Sequence, residues 1–386
     1  MERFPAIVIG GPPHSGKSVL TYSLTQALRA RGVQHYVVRA TPDGEGDWAN
    51  EAAQQLVRTL RAKGEFSPAF TDFVCRSLAE RHLPLLVDAG GRPTPEQERI
   101  LDSCTHVILL TPDEAAGLWW GDLARRHHLP VIADLTSDLH GQDRVTDAGP
   151  PLRGVISGLD RRRTATGPVF DALVQRVAAI LHYDADELYR LHESNCPAEI
   201  VISLARLART LEIPFEGEKA YWRPEHIRRV LDYLPEATPL GLYDRGPNWL
   251  YVAVALQAAP APFVQFDPRL GWVQAAALQQ GEPPSGAALR FRRRQAAGFV
   301  VLNTCAPAAH LEHDEFRVQI APVLPSDVGI VLGGQLPLWA YTSLALTYYR
   351  AAPWVAVYQP QLDCAVVAYS ADTKVAVGDR LHHVGT

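Results

Sequence analysis

The stretch Gly11-Pro12-Pro13-His14-Ser15-Gly16-Lys17-Ser18 constrains the fold of this chain more than any other, because of what flanks it. A short apolar run with β-branched members, Phe4 to Ile9, leads into it, and an amphipathic pattern from Val19 to Arg31 leads out. The order is strand, loop, helix, with the spacing G-x-x-x-x-G-K-S. Glycines let backbone N–H groups close around phosphate oxygens, and the start of the following helix adds the positive end of its dipole. The motif therefore predicts a nucleotide phosphate site formed by Gly11, Pro12, Pro13, His14, Ser15, Gly16, Lys17 and Ser18. In that site Lys17 reaches the β/γ-phosphates as a catalytic group and Ser18 ligates Mg²⁺, so ATP and Mg²⁺ are the expected cofactors.

Strands and helices alternate downstream. A strand is expected at His35–Ala40, followed by a polar loop and a helix from Asn50 to Lys63. The run Leu83 to Gly91 reads as a buried parallel strand ending in Asp88, where an aspartate serves as a catalytic Mg²⁺ ligand or, more simply, as the N-cap of a following helix. Strands follow at His106–Leu110, Leu129–Asp134 and Leu152–Gly158, with helices over Asp113–His127 and Gly167–Leu181. A doubly wound parallel sheet accounts for the set. With its phosphate loop and Asp88 strand, this half resembles P-loop NTPases of the AAA and dethiobiotin-synthetase-like kinds. Arg161-Arg162-Arg163 fits either a solvated turn or an arginine finger reaching a neighbouring subunit's nucleotide.

At 386 residues and 47% hydrophobic content the chain exceeds what one core usually holds. With 20% charged residues it is not collagen-like, coiled-coil or disordered, and a net charge of −5 requires no long nucleic acid as partner. The five cysteines form no CxxC pair, which fits reduced thiols and argues against a structural zinc site. The Phe4–Gly10 run is too short for a signal peptide, and no apolar stretch is long enough to span a bilayer. A cytoplasmic protein without a membrane partner is expected.

The second half repeats itself. Asp244-Arg245-Gly246-Pro247-Asn248-Trp249-Leu250 precedes an apolar run and then Phe263-Val264-Gln265-Phe266-Asp267-Pro268-Arg269-Leu270-Gly271. The same order returns as Gly334-Gln335-Leu336-Pro337-Leu338-Trp339, an apolar run, and Trp354-Val355-Ala356-Val357-Tyr358-Gln359-Pro360-Gln361-Leu362. Each copy reads as strand, glycine/proline turn, helix, strand, turn, strand, with parallel βαβ geometry. Two such units fit a pseudo-twofold arrangement that places both helix N-termini on one face, suited to a symmetric anion, though on residue type alone the same prolines and tryptophans better suit a packing module.

These motifs resemble the CRISPR-associated type III ring-nuclease family, which occurs fused to AAA-type ATPase domains; the resemblance covers residues 221–386. It implies small βα modules that bind cyclic tetra-adenylate and cleave it, switching off antiviral signalling. It points to Arg245, Gly246, Pro247, Asn248, Trp249, Gln335, Pro337 and Trp339 as ligand contacts, to Asp267 and Arg269 as catalytic residues, and to Mn²⁺ as a metal for phosphodiester cleavage. The family's active members carry a histidine late in the helix, where this chain has Ala259-Pro260-Ala261 and Tyr349-Arg350-Ala351, and the second copy replaces Asp-Pro-Arg with Gln359-Pro360-Gln361. Ile200 to Leu211 reads as helix rather than as the family's opening strands.

Arg292 and Arg294 fall on one face of a strand-like run, as phosphate contacts or as protective charge on an exposed strand. His310 and His313, beside Asp314 and Glu315 in an expected turn, suit a solvated loop or a general base.

The expected domains are a P-loop NTPase domain at 1–182, a helical connector at 183–220, and ring-nuclease-like repeats at 221–286 and 287–386. The leading function is an ATP-binding homo-oligomeric regulator that binds cyclic tetra-adenylate or a related cyclic oligonucleotide, with its cleavage left open by the missing histidine. A P-loop kinase acting on a small metabolite or nucleotide, with the repeat as oligomerisation scaffold, and a non-catalytic messenger sink remain as alternatives.

Overall fold

A strand of purely apolar residues buried on both faces belongs in the middle of a parallel sheet, and Ala6–Gly10 (β1) occupies that place in the computed structural model. The structure describes residues 4–40, 67–160, 163–216, 219–306, 311–382 and 384. The helix expected over Asn50–Lys63, together with Arg161, Arg162 and His310, lies outside them. The chain divides into two units: Met1–Tyr189 with Pro268–Gly271, and Arg190–Asp267 with Trp272–Thr386.

In the first unit β1 is followed by α1 (Lys17–Arg29), β2 (Tyr36–Arg39), α2 (Pro68–Ala79), β3 (Leu85–Asp88), α3 (Arg99–Asp102), β4 (His106–Thr111), α4 (Glu114–Arg126), β5 (Val131–Asp138), β6 (Arg144–Asp147), β7 (Leu152–Ser157) and α5 (Pro168–Leu181). The sheet order is β2-β3-β1-β4-β5-β7-β6. All pairings are parallel except the last, where β6 runs antiparallel to β7. This edge strand, Arg-Val-Thr-Asp, is polar and exposed along most of its length and so carries no apolar signature. The wholly parallel sheet expected from sequence is corrected to a mixed one. Helix starts follow local chemistry: Ser67 Oγ accepts from Phe70 N at 3.2 Å to cap α2, and Asp113 Oδ1 accepts from Ala116 N at 2.8 Å to cap α4. Leu20, Leu24 and Leu28 of α1 and Leu173, Val177 and Leu181 of α5 are fully buried in one core with Ile7, Ile9 and Ile108.

The helix α6 (Ala185–Glu193) leads into the second unit, which contains β8 (Ile200–Ser203), α7 (Leu204–Thr210), the short strands β9 (Phe215–Glu216) and β10 (Lys219–Ala220), α8 (Ile227–Tyr233), β11 (Leu240–Tyr243), α9 (Asn248–Ala258), β12 (Phe263–Asp267), β13 (Gly271–Ala275), β14 (Gln279–Gly281), β15 (Arg290–Ala296), β16 (Phe299–Cys305), α10 (His313–Arg317), β17 (Ile320–Pro322), β18 (Gly329–Gln335), α11 (Leu338–Tyr348), β19 (Trp354–Gln359), β20 (Cys364–Ser370) and β21 (Arg380–Leu381). One sheet has the order β13-β12-β11-β8 and the other β15-β16-β18-β19-β20-β21. In the first, β8, β11 and β12 are parallel neighbours; in the second, β16, β18 and β19 are. Both β11-α9-β12 and β18-α11-β19 are therefore parallel βαβ units. The helices α9 and α11 are apolar all round, and they pack against each other while α9 also lies on β19 and β20.

Two local expectations are corrected here. Ile200–Leu211 opens with strand β8 before turning into α7, because Ser203 ends the strand and caps the helix, its Oγ accepting from Arg206 N at 3.2 Å. His313, expected in a turn, begins the short helix α10, whose Phe316 is fully buried.

Candidate functional site

The loop between β1 and α1 lies where the strand order of the first sheet reverses, with β3 on one side of β1 and β4 on the other. Open α/β sheets bind ligands at the carboxyl ends of strands at such a point. Gly16 is left-handed at φ 91°, and a Cβ there would sit 2.8 Å from the Leu159 side chain; one on Gly11 would sit 2.0 Å from the Leu110 carbonyl oxygen. Both glycines are needed for the loop to close. His14 also takes a positive φ, 66°, and is exposed together with Pro13.

Lys17 is buried, and its Nζ donates to the carbonyls of Gly11 at 2.7 Å and Pro12 at 2.6 Å. Burial pulls its pKa down to about 8, against the opposing pull of the Asp88 carboxylate. Register pairing sets Ile9 of β1 and Arg39 of β2 beside Asp88 at the end of β3. Asp88 is buried; its Oδ2 accepts from Ser18 Oγ at 2.9 Å and its Oδ1 from Gly90 N at 3.4 Å. A Cβ on Gly91 would come within 3.2 Å of Pro13 Cγ, so the Asp88 loop lies against the motif loop. The hydroxyl of Ser15 is buried without a hydrogen-bond partner. Asp88, 70 residues from Ser18 in sequence, thus joins Lys17 and Ser18 in one cluster.

In the second unit the two glycine/proline turns match residue for residue in exposure: Arg245 and Gln335 are exposed, Gly246, Pro247 and Asn248 are half-buried like Leu336, Pro337 and Leu338, and Trp249 and Trp339 are both 1% exposed. Tyr251 Oη donates to the Asp244 carbonyl, and Tyr341 Oη donates to the Gly334 carbonyl at 2.6 Å. The tryptophans, expected as ligand contacts, are packing residues whose Nε1 atoms find no hydrogen-bond partner. Asp244 is half-buried, and its burial pushes the carboxyl above the usual carboxylate range although Ser203 Oγ and Ala205 N donate to it.

Within the second unit the first turn abuts the end of β19, and helix α11 is bonded to β12. Asn248 Nδ2 donates to the Tyr358 carbonyl at 3.1 Å, at the end of β19 that carries Gln359. Thr342 Oγ1 of α11 donates to Gln265 Oε1 at 3.0 Å in β12, the strand that ends in Asp267, and Ser343 Oγ accepts from Ala276 N at 3.2 Å. His313 stands edge-on to Trp339, ring centroids 5.2 Å apart at 90°, bonded to the Gln274 backbone and in the field of Asp267. Burial lowers its pKa, the Gln274 bond raises it, Arg317 lowers it, and Asp314 and Asp267 raise it. Sequence spacing gave His313 no partner; its neighbours come from β12, β13 and α11. Arg269 groups with the first unit, buried, its guanidinium 5.9 Å from the centre of the Phe73 ring. Arg292 and Arg294 are exposed on the edge strand β15, opposite Asn303 and Val301 of β16.

Residues 306–382 match the family described as CRISPR-associated protein (Cas_csx3). The match takes in α10, β17, β18, α11, β19, β20 and β21 and supports a CRISPR association for this chain. No curated protein matches the chain. No helix among the described residues is long and apolar enough to cross a membrane.

Proposed function

We propose that this chain is an ATP-binding regulator of type III CRISPR signalling whose second unit, two copies of one βαβ module, binds and cleaves cyclic tetra-adenylate. The observation that carries this reading is the match of residues 306–382 to a CRISPR-associated family, in a unit whose two turns share exposure, hydrogen bonding and strand-end position. A ligand that is itself symmetric meets both turns alike, with Arg245 and Gln335 exposed for its phosphates and base edges.

The first unit we read as a P-loop NTPase domain. Its residues fit a Mg²⁺-nucleotide: the Ser15 hydroxyl is an orphaned buried group on the loop, and Lys17, Ser18 and Asp88 supply an ammonium, a hydroxyl and a carboxylate within one cluster. Lys17 would hold the phosphates, and Ser18 and Asp88 the Mg²⁺; the metal, when bound, offsets charge on the phosphate oxygens. Incubation of the full chain with radiolabelled cyclic tetra-adenylate tests the reading: retention with conversion to linear product supports it, and absence of both refutes it.

The sink reading keeps one specific support, the absence of the family's histidine where this chain has Ala259-Pro260-Ala261 and Tyr349-Arg350-Ala351. It predicts retention with no product at long incubation.

A further inference from the structure

Charge on the outermost strand of a sheet keeps that edge from pairing with another chain, and β15 carries more of it than this purpose asks. The strand ends the sheet order, with β16 as its neighbour. Arg290, Arg292, Arg293 and Arg294 are all exposed, and no acidic residue lies between Glu282 and Glu312 in the sequence. Neither Arg290 nor Arg292 makes an ion pair among the described residues. On a chain of net charge −5 this is a local concentration of positive charge. It precedes the family match, which begins at residue 306.

Residues directly opposite each other on paired strands share a face of the sheet. β15 runs antiparallel to β16, which sets Arg290 beside Cys305, Arg292 beside Asn303 and Arg294 beside Val301. The parallel pairing of β16 with β18 continues these three levels to Gln335, Gly333 and Val331. The arginine row therefore starts level with the turn at Gln335 and runs away from it, in steps of about 7 Å. Arg293 alternates to the opposite face, where its Nη1 donates to the Val323 carbonyl at 3.2 Å. A cyclic oligonucleotide presents its phosphates around a closed ring and meets a straight row at one end, whereas a linear strand presents them in line. A second copy of this chain pairing along the same edge would set guanidinium against guanidinium, which destabilises the pair.

We propose that the exposed row Arg290, Arg292 and Arg294 on β15 binds the phosphate backbone of a linear single-stranded nucleic acid, at a site separate from the paired turns. Guanidinium groups suit phosphate oxygens because their donors form a planar fork. Contacts to phosphate alone carry no base information, so the binding is independent of sequence. It releases counterions and is weakened by salt: three phosphate contacts on a single strand give a slope of about −2 in log affinity against log salt. The site stands whether or not the second unit takes a cyclic ligand.

The test is a fluorescence-anisotropy titration of the full chain into labelled single-stranded RNA of mixed sequence over a series of salt concentrations, with vesicles containing an anionic phospholipid as a second arm. Wild type is expected to bind the RNA with a slope of about −2. The variant Arg290→Gln/Arg292→Gln/Arg294→Gln should melt like wild type, bind at least roughly tenfold more weakly at low salt and lose most of the slope, while keeping its retention of cyclic tetra-adenylate. Arg292→Gln alone, expected to reduce the slope by about 0.7, serves if the triple variant fails to fold. Arg293→Gln, on the other face, should leave the affinity close to wild type. Absence of RNA binding by the wild type, equal binding by wild type and the arginine variants, or binding to the vesicles in place of RNA overturns the proposal. A parallel loss of cyclic tetra-adenylate retention in the triple variant overturns it too, by making the row part of the turn site.

Discussion

Ser18 Oγ donates to Asp88 Oδ2 across 2.9 Å, tying the first turn of α1 to the end of β3. A hydroxyl and a carboxylate so placed share a proton where, under the reading proposed here, they share Mg²⁺ when a nucleotide is bound. Asp88→Asn keeps the hydrogen bond and removes the charge. The expected result is a native melting profile with Mg²⁺-dependent ATP binding weakened roughly tenfold or more, checked by calorimetric titration with and without Mg²⁺.

Lys17 makes stability depend on pH. Its ordinary value is 10.5 and its folded value about 8. Between these the unfolded chain binds more protons than the folded one, so stability rises with pH through that window, by on the order of 3 kcal/mol at full effect. Denaturant melts of the nucleotide-free protein from pH 7.5 to 10.5 should show the rise, and Lys17→Met should lack it.

Asp244 carries the opposite sign. Burial raises its folded pKa above the ordinary 3.8, so the folded chain binds more protons and stability falls as pH climbs from the ordinary value through the raised one. Its φ of 73° suits asparagine as well as aspartate. Asp244→Asn should therefore stabilise the protein near neutral pH, with a smaller difference in acid. Chemical denaturation at two pH values checks this.

Trp249 and Trp339 should behave as core residues. Truncating either to alanine is expected to cost about 3–5 kcal/mol, read as a fall in the denaturation midpoint. Trp339→Phe keeps most of the volume and should leave retention of cyclic tetra-adenylate close to wild type. A selective loss of retention in that variant would make the indole a ligand contact.

Much of the first sheet is legible in the sequence because its inner strands are apolar runs bounded by turn residues, from Ala6–Gly10 to Leu85–Asp88. Its polar edge strand Arg144–Asp147 is not, since nothing on it is buried enough to leave a pattern. The two βαβ units are legible from repeated order, but β8 is hidden by its length: Ile200–Ser203 runs straight into the helix that Ser203 caps. Asp88 could be singled out because it ends an apolar strand, and it receives the Ser18 hydroxyl's hydrogen bond. His313 could not be placed, because its neighbours Trp339, Gln274 and Asp267 lie on three other elements. Nor does the sequence foretell that Arg269 is buried over Phe73, since an arginine in a proline turn usually faces water.

The most direct measurement is equilibrium retention of labelled cyclic tetra-adenylate by the full chain and by an Arg245→Ala/Gln335→Ala variant, which alters the two exposed turn positions alone. Retention by the wild type that falls at least roughly tenfold in the double variant is the predicted result. Absence of retention by the wild type, or equal retention by both, would contradict a ligand held across the paired turns.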